Sequence, residues 1–298
     1  MSVRYRVPMP PIFMENRDLA VPAWPDYELI DSGDNRRLER FGSFTVIRPE
    51  TQAIWGPRRA AAWADAHGEF RFSGAKGSWK RTGSVLPDTW QLSWNDVRFS
   101  VRLGSFKHLG VFPEQAANWE WLRSRVGKMD QPKVLNLFGY TGIASIVAAR
   151  AGAEVTHVDA SKQSNAWAKE NAKASDLDPR AVRFLDDDAL KFVLREGRRG
   201  VRYDGIILDP PAFGRGPDGE VWRIEEHLPR LLQEAAKIFS DRPGAFFLLN
   251  GYAAGYSATS FRQAVDDVFP DRDGEYGELL IPESFPGRSV PSGIFVRF

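Results

Sequence analysis

The chain has 298 residues, with 40 Lys and Arg against 39 Asp and Glu for a formal net charge of +1, 43% hydrophobic residues and no cysteine. Such a composition fills a sizeable core in one large domain or two smaller ones. It excludes disulfides, thiolate metal sites, iron–sulfur clusters and a cysteine nucleophile, and a protein that grips nucleic acid by charge alone would be far more basic.

Residues 1–25 are Pro-rich and aperiodic and read as an extended arm. Pro8, Pro10, Pro11 and several charged residues break this stretch, so neither a signal peptide nor a membrane span is expected there. A cytoplasmic protein is the expectation. Residues 26–108 read as a smaller antiparallel β domain, a sandwich or partial barrel suited to holding a substrate. Runs at 27–31, 43–47, 69–72, 89–94 and 97–103 alternate apolar and polar residues between turn signals such as Ser73-Gly74 and Asn95-Asp96. A helix over 58–65 interrupts them. Six of the ten tryptophans lie in this half, namely Trp24, Trp55, Trp63, Trp79, Trp90 and Trp94. They serve either a sheet core or a surface on which bases stack.

Over 109–298 the rhythm changes to alternating strand and helix. A helix over 114–126 precedes strands at 133–138, 154–159, 182–185, 203–208 and 245–249, with helices between them. A helix over 259–268 and two strand-like runs, 278–281 and 293–298, close the chain. This alternation predicts a doubly wound, Rossmann-like α/β fold with a parallel sheet, whose ligands bind beyond the carboxyl ends of the strands.

The strand ends therefore carry the chemistry. The first gives Asn136-Leu-Phe-Gly139-Tyr140-Thr141-Gly142, where glycines permit close backbone approach and a helix N-terminus presents free N–H groups. It lacks the G-x-G-x-x-G spacing of dinucleotide sites, which counts against a nicotinamide oxidoreductase. The second ends in Asp159, a residue suited either to ribose hydroxyls or to capping a helix. The third ends in Asp186-Asp187-Asp188, whose mutual repulsion calls for at least one donor partner; Asp188, then Asp187, is preferred. The fourth, Asp209-Pro210-Pro211-Ala212-Phe213, is the most specific. Its prolines fix φ and remove two N–H donors, its carboxylate accepts from an amino or ring N–H, and Phe213 offers a stacking face.

These strand ends resemble the class I S-adenosylmethionine-dependent methyltransferases, and among them the ribosomal-RNA large-subunit methyltransferases and their bacterial relatives. The runs that carry the likeness begin at Ser105, Val134, Val155 and Ile206. The resemblance implies S-adenosyl-L-methionine as cofactor, with Asn136, Phe138, Gly139 and Gly142 at its methionine end, Asp159 on the ribose and Asp188 on the adenine amino group. Thr141, Ala160, Ser161 and Asp187 complete that set. Segment 107–115, through Lys107, Phe112 and Gln115, would close over the methionine moiety. Asp209, which also borders the cofactor, would face the target atom with Pro210, Pro211 and Phe213. An RNA substrate, ribosomal RNA foremost, is implied, although the extra RNA-binding module of many members is not found. A small-molecule or protein acceptor, or a non-catalytic binding protein, stays open on the residues alone.

No metal is expected, since His67, His108, His157 and His227 show no ligand spacing; only His108 sits where a site role is plausible. The Gly-rich loop over 214–220 reads as a substrate lid. Methylating carbon five of a pyrimidine ordinarily needs a thiolate to activate the ring. With no cysteine, transfer is expected at a nitrogen or oxygen.

Overall fold

The structure, a computed structural model, describes residues 14–22, 24–74, 76–83, 85–216, 219–252 and 255–298. Residues 1–13 of the expected arm, and Pro217 and Asp218 of the expected lid, lie outside the described residues.

The chain begins with two short strands, β1 (Met14–Asn16) and β2 (Leu19–Ala20). A small sheet follows, made of β3 (Tyr27–Gly33), β4 (Arg36–Phe41), β5 (Phe44–Pro49), β6 (Gly68–Ser73) and β7 (Lys76–Arg81), with α1 (Ala60–Ala64) inserted before β6. All its neighbours are antiparallel except β5 and β6, which pair in parallel because the chain crosses over through α1. The hairpin of β8 (Thr89–Trp94) and β9 (Val97–Arg102) comes next. Alternation puts Leu92, Trp94, Val97, Phe99 and Val101 on one buried face. Trp24 and Trp94 are buried and Trp55, Trp79 and Trp90 are partly so, which assigns these tryptophans to the core.

A 3₁₀ turn (Pro113–Gln115) leads into α2 (Ala116–Val126), and the second unit follows. It comprises β10 (Lys133–Leu137), α3 (Ile143–Arg150), β11 (Glu154–Asp159), α4 (Lys162–Ala174), β12 (Val182–Asp186), α5 (Ala189–Arg199) and β13 (Gly205–Leu208). Then come a short hairpin of β14 (Phe213–Arg215) and β15 (Val221–Arg223), α6 (Ile224–Lys237), β16 (Phe246–Gly251), α7 (Ala258–Asp266), β17 (Gly274–Pro282) and β18 (Ser289–Arg297). The sheet order is β1-β17-β18-β16-β13-β10-β11-β12, with β2 also on β17. Strands β10 to β13 and β16 run parallel, while β18 returns antiparallel between β16 and β17. The parallel strands read as continuous apolar runs because helices cover both faces. Order reverses beside β10, where neighbours are β11 on one side and β13 on the other. That switch point is where an open α/β sheet leaves a crevice.

The two sheets share packing. One hydrophobic cluster runs from Trp24, Phe41 and Val46 through Phe99 and Trp119 to Ile146 and Phe246. Polar contacts fix the β8–β9 hairpin to α4: the Trp167 indole donates to Ser100 Oγ at 2.7 Å, and Ser100 N donates to Asn171 Oδ1 at 2.9 Å. Among the described residues, no helix is long and apolar enough to cross a membrane.

Candidate functional site

A cavity of about 600 Å³ opens over the carboxyl ends of β10, β11, β13 and β16. Its first wall is the turn after β10. Phe138, Tyr140 and Gly142 all take positive φ, at 57°, 49° and 80°, a conformation that side chains other than glycine adopt only under constraint. Gly139 is required for a different reason: a Cβ there would sit 2.3 Å from the His157 ring. Beneath the turn runs a chain of buried polar groups. Asn136 Nδ2 donates to Ser145 Oγ at 2.9 Å, and Ser145 Oγ pairs with His157 Nδ1 at 2.9 Å. Burial pushes His157 down to about 3, so it is a neutral structural imidazole.

Asp159 ends β11 and holds the turn. Its Oδ2 accepts from Tyr140 N and its Oδ1 from Ser161 N, both at 2.8 Å. Burial nonetheless raises its carboxyl above the usual range. Each member of the acidic run has a donor. Asp186 accepts from Asn165 Nδ2 at 2.7 Å, Asp187 pairs with Arg195, and Asp188 caps α5 by accepting from Lys191 N at 2.8 Å. Asp159, Asp187 and Asp188 line the cavity as well, so capping and ligand-facing positions coexist in the same residues.

The opposite wall is less well satisfied. Asp209 lies in the floor, and burial, then the neighbouring Glu114 charge, pushes its carboxyl up to about 7. Glu114 is 1% exposed, its carboxyl is raised to about 7 mainly by burial, and neither oxygen has a hydrogen-bond partner on another of the described residues. The His108 ring lies tilted 4.7 Å from Phe112 and edge-on to Tyr252 at 5.6 Å. Burial, followed by Arg48, Lys107 and Arg37, lowers it to about 2, so it stays neutral. After Pro211 the chain folds back: the Trp222 indole donates to Pro211 O at 2.7 Å and packs on Phe138 at 4.8 Å. The loop read as a lid is thus largely the β14–β15 hairpin, tied to α5 by a Lys191–Glu220 contact. Phe213 and Phe106, 56% and 74% exposed, line the same cavity.

Of the residues singled out from sequence, Phe112, Gln115, Asn136, Phe138, Gly139, Thr141, Asp159, Ala160 and Ser161 border the cavity. Asp187, Asp188, Asp209, Pro210, Pro211 and Phe213 do too. Two do not. Lys107 stands behind the wall with Nζ 3.4 Å from Tyr252 Oη. Gly142 packs α3 against α4, since a Cβ there would lie 2.8 Å from that of Ala168. Sequence reasoning missed Glu114, Asn250, Tyr252 and Trp222. Inspecting the end of the fifth strand, Asn250-Gly-Tyr252, as the first four were inspected would have found two of them. Among the described residues, no group of acidic or histidine side chains is arranged to hold a metal ion.

A doubly wound sheet with a reversed final hairpin, and a cavity spanning its switch point, define an α/β protein that takes an extended nucleotide-like ligand across its strand ends. The sequence profile of the S-adenosylmethionine-dependent methyltransferases matches residues 54–276, and the chain belongs to that family. It is 43% identical to a structure of the SAM-dependent methyltransferase from Agrobacterium tumefaciens, at a TM-score of 0.89 over 95% of this chain and 93% of that one. It is also similar to ribosomal RNA large subunit methyltransferase I of Aeromonas salmonicida, 33% identical over 68% of this chain and 51% of that protein. Similarity to ribosomal RNA large subunit methyltransferase K of Neisseria meningitidis is 26% over 87% of this chain and 73% of that protein. The chain thus spans about half the length of several curated relatives.

The cavity fits the cofactor of this family on its own chemistry. A cradle at Gly139 that a Cβ would fill, a carboxylate at Asp159 and an unpartnered buried carboxyl at Glu114 meet a ligand carrying hydroxyl, amino and cationic groups.

Proposed function

We propose that this protein transfers a methyl group from S-adenosylmethionine to a nitrogen of an RNA base, ribosomal RNA being the substrate the similar proteins' names suggest and the cytoplasm its setting. One observation carries this reading: the half-buried Asp209, the two prolines Pro210 and Pro211 and the exposed ring of Phe213 follow one another in the chain and all line the cavity. A planar ring stacks on Phe213, a contact worth about 1–3 kcal/mol per base. Its amino or ring N–H then meets an acceptor fixed by Pro210 and Pro211.

When bound, the cofactor supplies a methyl carbon already activated by its sulfonium. Positioning then does most of the remaining work, a contribution of roughly 7–11 kcal/mol in well-aligned systems. Asp159 and Asp188 would hold the ribose and the adenine. Asp209, with its carboxyl near 7, accepts the hydrogen bond that orients the nitrogen lone pair and can take up the proton that nitrogen sheds. The absence of cysteine argues against carbon-five methylation by a thiolate route.

Calorimetry with S-adenosylmethionine, S-adenosylhomocysteine and NAD is the first test, followed by labelled methyl transfer to total RNA, protein extract and small metabolites. Label in RNA alone supports the reading. Label confined to protein or metabolites overturns the substrate, and binding of NAD alone overturns the cofactor.

A further inference from the structure

The charged lining of the cavity is lopsided. Five carboxyl side chains face it, those of Glu114, Asp159, Asp187, Asp188 and Asp209, and among the described residues a single arginine or lysine, Arg215. Arg215 is exposed, and its guanidinium makes no hydrogen bond or ion pair with another described residue. An exposed arginine is ordinarily just solvated, so what singles this one out is where β14 sets it.

The register of the hairpin pairs Phe213 with Arg223, Gly214 with Trp222 and Arg215 with Val221. Side chains alternate between the two faces of a strand. Trp222 is 6% exposed and turns toward the body of the protein, donating to Pro211 O and packing on Phe138. Phe213, Arg215, Val221 and Arg223 therefore share the opposite face. Its apolar members stay in solvent, Phe213 at 56% and Val221 at 42% exposed. Exposed apolar side chains interleaved with arginines on one small face suit a ligand that is planar in one part and anionic in another. Backbone bonds close the hairpin at both ends, Ile224 N donating to Ala212 O at 3.1 Å and Gly216 N to Glu220 O at 2.7 Å. Arg223 already pairs with Glu226 on α6 at 3.3 Å, which leaves Arg215 as the open cation.

Spacing says which part of an acceptor would meet it. The nitrogen to be methylated and the glycosidic bond lie on different edges of a base. A base stacked on Phe213 with its N–H toward Asp209 therefore sends its sugar out toward the cavity mouth. Arg215 stands two residues from Phe213 on the same strand face, about 7 Å along β14. One sugar bridges such a gap between a base and its phosphate, and the planar guanidinium fork matches phosphate oxygens in a bidentate way.

We infer that Arg215 holds a backbone phosphate of the RNA strand next to the target base, so that the β14–β15 hairpin selects a nucleotide within a strand over a free nucleoside or a protein side chain. This rests on the acceptor reading above and deepens it. Phe213 takes the face of the base, while Arg215 fixes the backbone and reads no sequence of its own.

The test is labelled methyl transfer to unmodified transcripts of ribosomal RNA over a series of salt concentrations. Arg215→Gln should raise KM about tenfold at low salt, the loss of one charged contact. It should also flatten the plot of log KM against log salt by about 0.7, the share of one phosphate on a single strand. Its kcat, and its affinity for S-adenosylhomocysteine in calorimetry, should stay within twofold of wild type. Arg215→Lys keeps the charge and should restore the slope with part of the KM. Phe213→Ala should raise KM at an unchanged slope, because stacking displaces no counter-ions. Arg180→Ala, an exposed cation before β12 at the amino ends of the strands, should behave as wild type. Wild-type KM and slope in Arg215→Gln overturn the assignment. So does a fall in its S-adenosylhomocysteine affinity, which would give Arg215 to the cofactor's carboxylate, or labelling of free nucleosides as efficient as that of the transcripts. A wild type that labels no transcript removes the ribosomal-RNA reading itself, a distinct failure.

Discussion

The two walls of the cavity handle acidic side chains in opposite ways. At the ends of β11 and β12, every carboxylate has a protein donor: Asp159 two backbone amides, Asp186 an asparagine, Asp187 an arginine, Asp188 the first turn of α5. Beyond β13, Glu114 and Asp209 face each other's charge with burial as their main influence. The satisfied wall is built before any ligand arrives and serves to hold shape. The unsatisfied wall answers burial by holding its protons to higher pH, so its acids stay open to a ligand's donors.

Substitutions can break this contrast, and the largest effect belongs to the unsatisfied wall. Asp209→Ala should slow methyl transfer at least 100-fold in single-turnover assays while S-adenosylhomocysteine affinity stays within threefold of wild type. Asp159→Ala should do the reverse, weakening cofactor binding by about 30-fold in calorimetry through loss of charged hydrogen bonds. Exchange of the two outcomes would mean that the walls' roles are swapped. Phe213→Ala should raise KM for the RNA substrate about tenfold, in line with one lost stacking contact, and leave cofactor affinity unchanged.

The smallest expected effect is on stability, and it depends on pH. Burial raises the Glu114 carboxyl from 4.5 to about 7, so between those values the folded protein holds a proton that the unfolded chain has released. Its contribution to stability is complete below about 4.5 and is lost as pH rises through about 7. Glu114→Gln removes that loss. The difference in Tm, variant minus wild type, should therefore grow more positive from pH 5 to pH 8 in thermal melts. Arg37, Arg48, Lys107, Glu39, Asp209 and Tyr252, the charged or titratable groups acting on Glu114, are common to both proteins, as are His108 and His157. A difference that does not change with pH would show that Glu114 is not a buried acid.

The satisfied wall was also the legible one. Its glycines and capping acids announce themselves because each answers a local backbone demand: Gly139 makes room for His157, and Asp188 caps α5. On the other wall only the diproline turn with Asp209 was equally plain. Glu114 escaped notice because nothing local marks it. Its surroundings come from segments far apart in the chain, with Asn118 and Asn250 separated by 132 positions. For the same reason, alternation revealed β5 and β6 as strands while giving no sign that they pair in parallel. The β14–β15 hairpin read as a loop because its strands have three residues each, too few for a period, and are held by Trp222 on Pro211.

At the far margin of the large sheet, β17 has β18 on one side and, among the described residues, β1 and β2 on the other. Those two fragments, with Arg17 N donating to Tyr276 O and Val21 N to Leu280 O, occupy the outer hydrogen-bonding groups of a nine-residue strand. An uncovered strand of that length is a template for another chain. Loss of the β1 and β2 pairings, for instance by proline at Arg17 and Val21, would turn a capped border into an adhesive one. Self-association, visible by light scattering, would then report on two strands that lie outside the lining of the cavity.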